Sequence, residues 1–211
     1  MNELFCPVTL EMNLVNPCIN SSLMFWHEKY HPRILKENLK PHNLYVMPDV
    51  HKTEYQDLKK YFLKDLGLVL KSIILFPTMP NKFKDPHRDG PRSDYSYSAI
   101  NIPVANTKGT FQVWWPDFDE SRVKQYYLTK PDGEKSVGFD VVPEWSESEY
   151  DNIPNENSLE LLSPYLLNTN VIHGVDNRSN DEWRLAMSLR FLGNPKLEQV
   201  KEKIITTRGY L

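Results

Sequence analysis

Residues 68–76 read LVLKSIILF. Apart from Lys71 and Ser72 the stretch is apolar, and its length suits a buried strand better than a helix. The segment before it has a different period. Tyr55, Leu58, Phe62 and Leu66 recur at helical spacing and Gly67 follows, which predicts a helix over about 52–65, with Asp49 near its start. After residue 76 the strand period persists. YSYSAINIPV (95–104), TFQVWW (110–115), QYYLT (125–129), SVGFDVV (136–142), PYLLNTNVIH (164–173) and EWRLAMSLRF (182–191) all read as strands. KPDGEK (130–135) has the composition of a hairpin turn. KLEQVKEKII (196–205) looks helical, and residues 1–50, punctuated by Pro7, Pro17, Pro32, Pro41 and Pro48, read as irregular. The acidic stretch over 143–158 reads as a long surface loop or lid, the place where specificity is expected to reside. Many short strands flanked by helices predict a mainly β protein, a sandwich or jelly roll. The expected organisation is one domain, 1–211, with an irregular and helical flank (1–67), a β core (68–192) and a helical tail (193–211).

The totals exclude several classes. Apolar content of 40% and charged content of 25% in 211 residues suit a globular chain with a full core. Net charge is −3 and no basic stripe stands out, so no nucleic-acid partner is expected. With 8 glycines the chain holds neither a G-x-x-x-x-G-K-[ST] loop nor a G-x-G-x-x-G turn, and it has no G-x-S-x-G elbow. No signal peptide or membrane-spanning run is seen, so the expectation is a soluble cytoplasmic protein. Cys6 and Cys18 are expected as buried free thiols, with a disulfide the alternative.

Among the 6 histidines, two lie in HEKYH (27–31), the pattern of a zinc protease helix. Such a site needs both histidines in one continuous helix. Pro32 disfavours the α region for His31, so the helix is expected to end there, leaving both histidines solvated. No third ligand follows at a recognised spacing, although Glu37 and His42 lie nearby. His42 and His51 read as loop residues.

A second constellation is spread along the chain. His87 and Asp89 form H-x-D in DPHRDGP (85–91), and His173 ends NTNVIH. Residues i and i+2 of an extended chain share a face, so His87 and Asp89 can aim inward together. Two histidines and a carboxylate make a facial triad that leaves metal positions open, which suits non-haem Fe(II). Arg184, one strand later, can reach the same cavity and grip a dicarboxylate by paired charge-assisted bonds. H-x-D alone is weak, since it should arise about once by chance in such a composition. The order and setting carry the signal.

HRD, the following strand SAINIPV, NTNVIHGV and RLAMSLRF resemble the Fe(II)/2-oxoglutarate-dependent oxygenase superfamily, over about residues 72–191. The resemblance implies a double-stranded β-helix, a jelly-roll, cupin-like core. It implies His87, Asp89 and His173 as iron ligands and catalytic centre, with Arg184 holding the distal carboxylate of 2-oxoglutarate. Many members carry Ser or Thr two residues after that arginine; here Ala186 stands there, Ser188 shares the face, and Arg190 is the alternative carboxylate partner. Asn101 either meets 2-oxoglutarate or bonds a neighbouring strand. Tyr95 and Tyr97 share its face and are candidate pocket residues. Trp114 and Trp115 point to opposite faces, and Arg88 and Arg92 flank the motif. The activity implied is that of a dioxygenase, an oxidoreductase using Fe(II), 2-oxoglutarate and O2 to hydroxylate a small-molecule or peptide substrate, with release of succinate and CO2. The alternative is a non-catalytic metal-binding module on the same barrel. The sequence leaves substrate and oligomeric state open.

Overall fold

The computed structural model describes residues 3–37, 51–89, 97–129 and 135–208. Among these residues eleven strands form two antiparallel sheets. The first holds β1 (Phe5–Pro7), β9 (Tyr165–Asn168), β4 (Ser98–Ala105), β11 (Arg184–Phe191) and β2 (Leu70–Thr78), in that spatial order. The second runs β6 (Lys124–Thr129), β7 (Lys135–Val141), β3 (Lys82–Arg88), β10 (His173–Asn177), β5 (Phe111–Trp114) and β8 (Ser158–Glu160). From β2 to β5 the chain crosses from one sheet to the other at every step, and it does so again from β8 to β11. The eight strands β2–β5 and β8–β11 make a jelly roll in the double-stranded β-helix arrangement. β6 and β7 are an insertion that extends the second sheet.

β11 organises the first sheet. All eight of its residues are buried, so both of its faces are covered. Leu185, Met187, Leu189 and Phe191 face outward into helices, while Arg184, Ala186, Ser188 and Arg190 face the barrel interior by the strand alternation. The outer covering is α1 (Met12–Phe25), α3 (Thr53–Lys64) and α5 (Leu197–Arg208). Val15, Leu58, Phe62 and Val200 are fully buried there against Ile73, Ile100 and Leu189. Each such side chain contributes about 1.5–3 kcal/mol. Cys6 and Cys18 are free and buried in the same cluster. Among the described residues no helix is long and apolar enough to cross a membrane.

Several sequence expectations are corrected. The stretch expected to be irregular carries α1 and α2 (His31–Glu37), joined by a π turn over Trp26–Tyr30. The helical path therefore continues past His31. The wider π register carries the His31 N–H to the Trp26 carbonyl and makes room for the Pro32 ring in the first turn of α2. The predicted strand over 164–173 is two strands in different sheets. Its break is a turn at Asn168, whose side-chain oxygen accepts from the Asn170 N–H at 3.2 Å. β1, β3 and β8 carry no strand signal that sequence reading caught. The KPDGEK turn, His42, Asp49, Arg92 and Tyr95 fall wholly or partly outside the described residues.

Candidate metal centre

β3 reads KFKDPHR, a charged sequence with a proline and no apolar alternation. It is held as a central strand by β7 on one side and β10 on the other. His87 stands directly opposite His173 in the ladder, with ring centroids 4.6 Å apart. Asp89 lies just past the end of β3, its N–H directed to the Thr169 carbonyl at 3.3 Å. The three side chains converge: His87 Nε2 is 3.6 Å from Asp89 Oδ1, and His173 Nε2 is 3.4 Å from Oδ2. One ligand atom from each lies within 4.8 Å of the others, the only His/Cys/Asp/Glu group among the described residues so arranged to hold a metal ion.

The donor chemistry fits a divalent cation. His87 Nδ1 lies 2.8 Å from the Asp85 carbonyl and His173 Nδ1 lies 2.8 Å from that of Val171. Each Nδ1 can donate to a carbonyl two residues upstream, which turns the Nε2 lone pair toward Asp89. Burial, assisted by His173 and Lys84, pushes His87 down to about 3, so it is neutral at pH 7. Burial opposes ionisation of Asp89, yet the Arg190 guanidinium and His173 outweigh it and hold the carboxyl well below its usual range. Arg190 Nη2 meets Asp89 Oδ2 at 2.7 Å. A neutral His87 imidazole beside an ionised Asp89 carboxylate suits metal ligation.

Arg184 lines the same pocket from the opposite sheet and is 1% exposed. Burial pushes its guanidinium down to about 10, which leaves it charged at neutral pH. Among the described residues, its Nε and Nη2 are buried with no hydrogen-bond partner, and so are Arg190 Nη1, Asn101 Oδ1 and Ser188 Oγ. An unpaired buried cation is costly in the protein alone and favourable once a carboxylate reaches it. Asn101 lines the pocket and stands opposite Ser188 in the ladder.

The remaining candidates divide. Trp114 faces the pocket and donates through Nε1 to the Asn168 carbonyl at 2.9 Å. Trp115 lies on the outer face of the second sheet, with its ring centroid 4.8 Å from that of Trp145 and 5.1 Å from that of Tyr150. Tyr97 is 37% exposed and does not line the pocket. Arg88 pairs with Glu120 and Asp140. His27 is exposed, and His31, expected to be solvated, is half-buried, stacked 5.4 Å from Trp26 with Trp183 at its edge. Sequence reading missed Lys84, Gln112 and Thr169, which all line the pocket. Gln112 was discoverable, since it shares a strand face with Trp114. Lys84 was not, because a bulge sets its direction.

The 143–158 segment is a largely exposed surface stretch, as expected, and none of its residues lines the pocket. It contains α4 (Ser148–Asp151), and it packs Trp145 and Tyr150 against Phe83 and Trp115 on the outer face. Arg122 pins it through Glu149 at 2.7 Å. Tyr150 donates to the Lys84 carbonyl at 2.5 Å. A Cβ on Gly174, the residue after His173, would strike the Tyr150 hydroxyl and lie 2.9 Å from the Lys84 carbonyl oxygen. Gly174→Ala is therefore expected to cost about 1–3 kcal/mol of stability, since neither backbone nor packed ring can yield cheaply. Denaturant unfolding measures it. Tyr150→Phe in the same chain should recover part of the loss; two changes that simply add would show that the hydroxyl is not the obstacle.

No family model matches the chain, and no curated protein matches it. Solved structures do. HygX from Streptomyces hygroscopicus, with nickel and 2-oxoglutarate bound, is 10% identical, over 89% of this chain and 80% of that chain, at a TM-score of 0.45. A prolyl-4-hydroxylase from Pseudomonas putida is 14% identical over 89% and 90% of the two chains, at 0.39. SnoN, a non-haem alpha-ketoglutarate-dependent epimerase from nogalamycin biosynthesis, is 12% identical over 90% and 78%, at 0.43.

Proposed function

We propose that the protein is an Fe(II)- and 2-oxoglutarate-dependent dioxygenase that hydroxylates an organic substrate. One observation carries this reading: a converged His87–Asp89–His173 set shares its pocket with the buried, partnerless Arg184. The triad would hold the metal on one side and leave the other side to ligands. Arg184 would take the distal carboxylate of 2-oxoglutarate. Arg190 is engaged by Asp89, which favours Arg184 for that role and gives Arg190 the task of orienting the carboxylate ligand. Asn101, with its free Oδ1, lines the pocket, and with Ser188 opposite it in the ladder it would help complete the co-substrate site. Trp114 and Leu167 would keep water from that end of the pocket. Bound iron, 2-oxoglutarate and O2 would supply the oxidation, leaving succinate, CO2 and a hydroxylated product.

A barrel that merely holds a metal has no use for a buried guanidinium facing it, which favours the enzyme over the non-catalytic binding module. The test is an anaerobic titration of the purified protein with Fe(II) and 2-oxoglutarate. A weak visible charge-transfer band that needs both components is expected. A folded protein that binds Fe(II) and never develops the band would sink the co-substrate reading.

A further inference from the structure

Lys84 has no part in the metal triad, yet its side chain faces the same pocket. In a regular strand, residues three apart point to opposite faces. Lys84 and His87 are three apart and both point inward. Val175 stands opposite Lys84 while His173 stands opposite His87, so Asp85 and Pro86 together face the single residue Gly174. This bulge adds one residue to β3 and reverses the phase of everything before it. The backbone there is pinned from outside by the Tyr150 hydroxyl on the Lys84 carbonyl.

Inside, Lys84 Nζ lies 4.7 Å over the Phe76 ring, on the strand next to Arg184. Lys84 comes from one sheet and Arg184 from the other. Like charges in a shared low-dielectric pocket repel unless an anion separates them. Asp89 is the only carboxylate among the described residues lining this pocket, and it is engaged by Arg190 at 2.7 Å. Three cations thus share one carboxylate, and two of them await an anion.

We infer that Lys84 is a second cation for the acidic ligand of this pocket, sharing with Arg184 the carboxylate remote from the metal. This rests on the reading of the pocket as a 2-oxoglutarate site. The grip is two-sided, with one cation from each sheet.

The experiment measures ligand affinity by anaerobic calorimetry on the metal-loaded full chain. The probes are 2-oxoglutarate and 2-oxobutanoate, which keeps the chelating end and lacks the second carboxylate. Lys84→Met and Lys84→Gln should each weaken 2-oxoglutarate about tenfold or more. Both should leave 2-oxobutanoate affinity and metal affinity within about twofold, and Lys84→Arg should recover most of the loss. Unchanged 2-oxoglutarate affinity in the folded variants would overturn the inference. So would an equal loss for both ligands, which would locate the effect at the metal. If the unaltered protein binds metal and neither oxo acid, the co-substrate reading itself falls, and this inference with it.

Discussion

Replacing His173 with alanine is expected to lower Fe(II) affinity by at least about 100-fold while leaving the protein folded. Residues that only orient a metal ligand cost about 10–100-fold when removed, and a ligand costs more. The fold should tolerate the change because, among the described residues, the His173 side chain meets only the Val171 carbonyl through Nδ1 and the Asp89 carboxylate through Nε2 as polar contacts, and its place in the ladder rests on backbone groups. His27→Ala is the matched control, since that side chain is exposed. Equilibrium dialysis against Fe(II) under nitrogen reads both. Metal lost from the His27 variant and kept by the His173 variant would mean that the wrong histidines have been assigned.

Arg184→Met is expected to do two opposite things. It should abolish measurable 2-oxoglutarate binding, and it should raise the stability of the ligand-free protein by about 1 kcal/mol or more, roughly 2–4 °C in Tm for a chain of this size. The guanidinium has buried Nε and Nη2 atoms with no partner. Its pKa lies below the usual arginine range, so folding disfavours the charged form. The sign follows: the cost is fully present below about pH 10 and is relieved only as pH rises through the folded pKa toward the unfolded value. Methionine fills similar volume without charge. In the unaltered protein, saturating metal and 2-oxoglutarate should raise Tm, by about 2.7 kcal/mol of stabilisation at a hundredfold excess over Kd. The variant should show no co-substrate contribution. A variant less stable than its parent when both lack ligand would show that the guanidinium is satisfied without an acid.

The readable parts of the sequence were those where apolar pattern and backbone path agree. RLAMSLRF is covered on both faces, and its alternation of large apolar with polar or small residues survives into β11. The convergence of His87, Asp89 and His173 was legible from their order and setting among the predicted strands rather than from H-x-D itself. β3 was illegible because its neighbours, not its own composition, hold it in the sheet. Its Pro86 sits within the bulge, where the missing N–H interrupts the ladder to β10 least. The N-terminal helices were hidden behind Pro17 and Pro32. The first is carried inside α1, and the second follows a π turn that no local rule announces. Trp26, whose ring stacks on His31, is 2% exposed and packs with Leu75 and Leu185, so tertiary contact outweighs the local preference of the residue before proline.

The bulge at Asp85–Pro86 also sets which kinds of inherited change this chain can absorb. Substitutions there alter one side chain. Loss of a single residue would restore the simple alternation and rotate everything upstream by one face, sending Phe83 into the pocket and Lys84 out against Tyr150. Away from Lys84 and His87, the stretch 82–87 is thus more tolerant of spelling than of length. A descendant shortened by one codon in this stretch would keep its triad and lose the inner wall beside it.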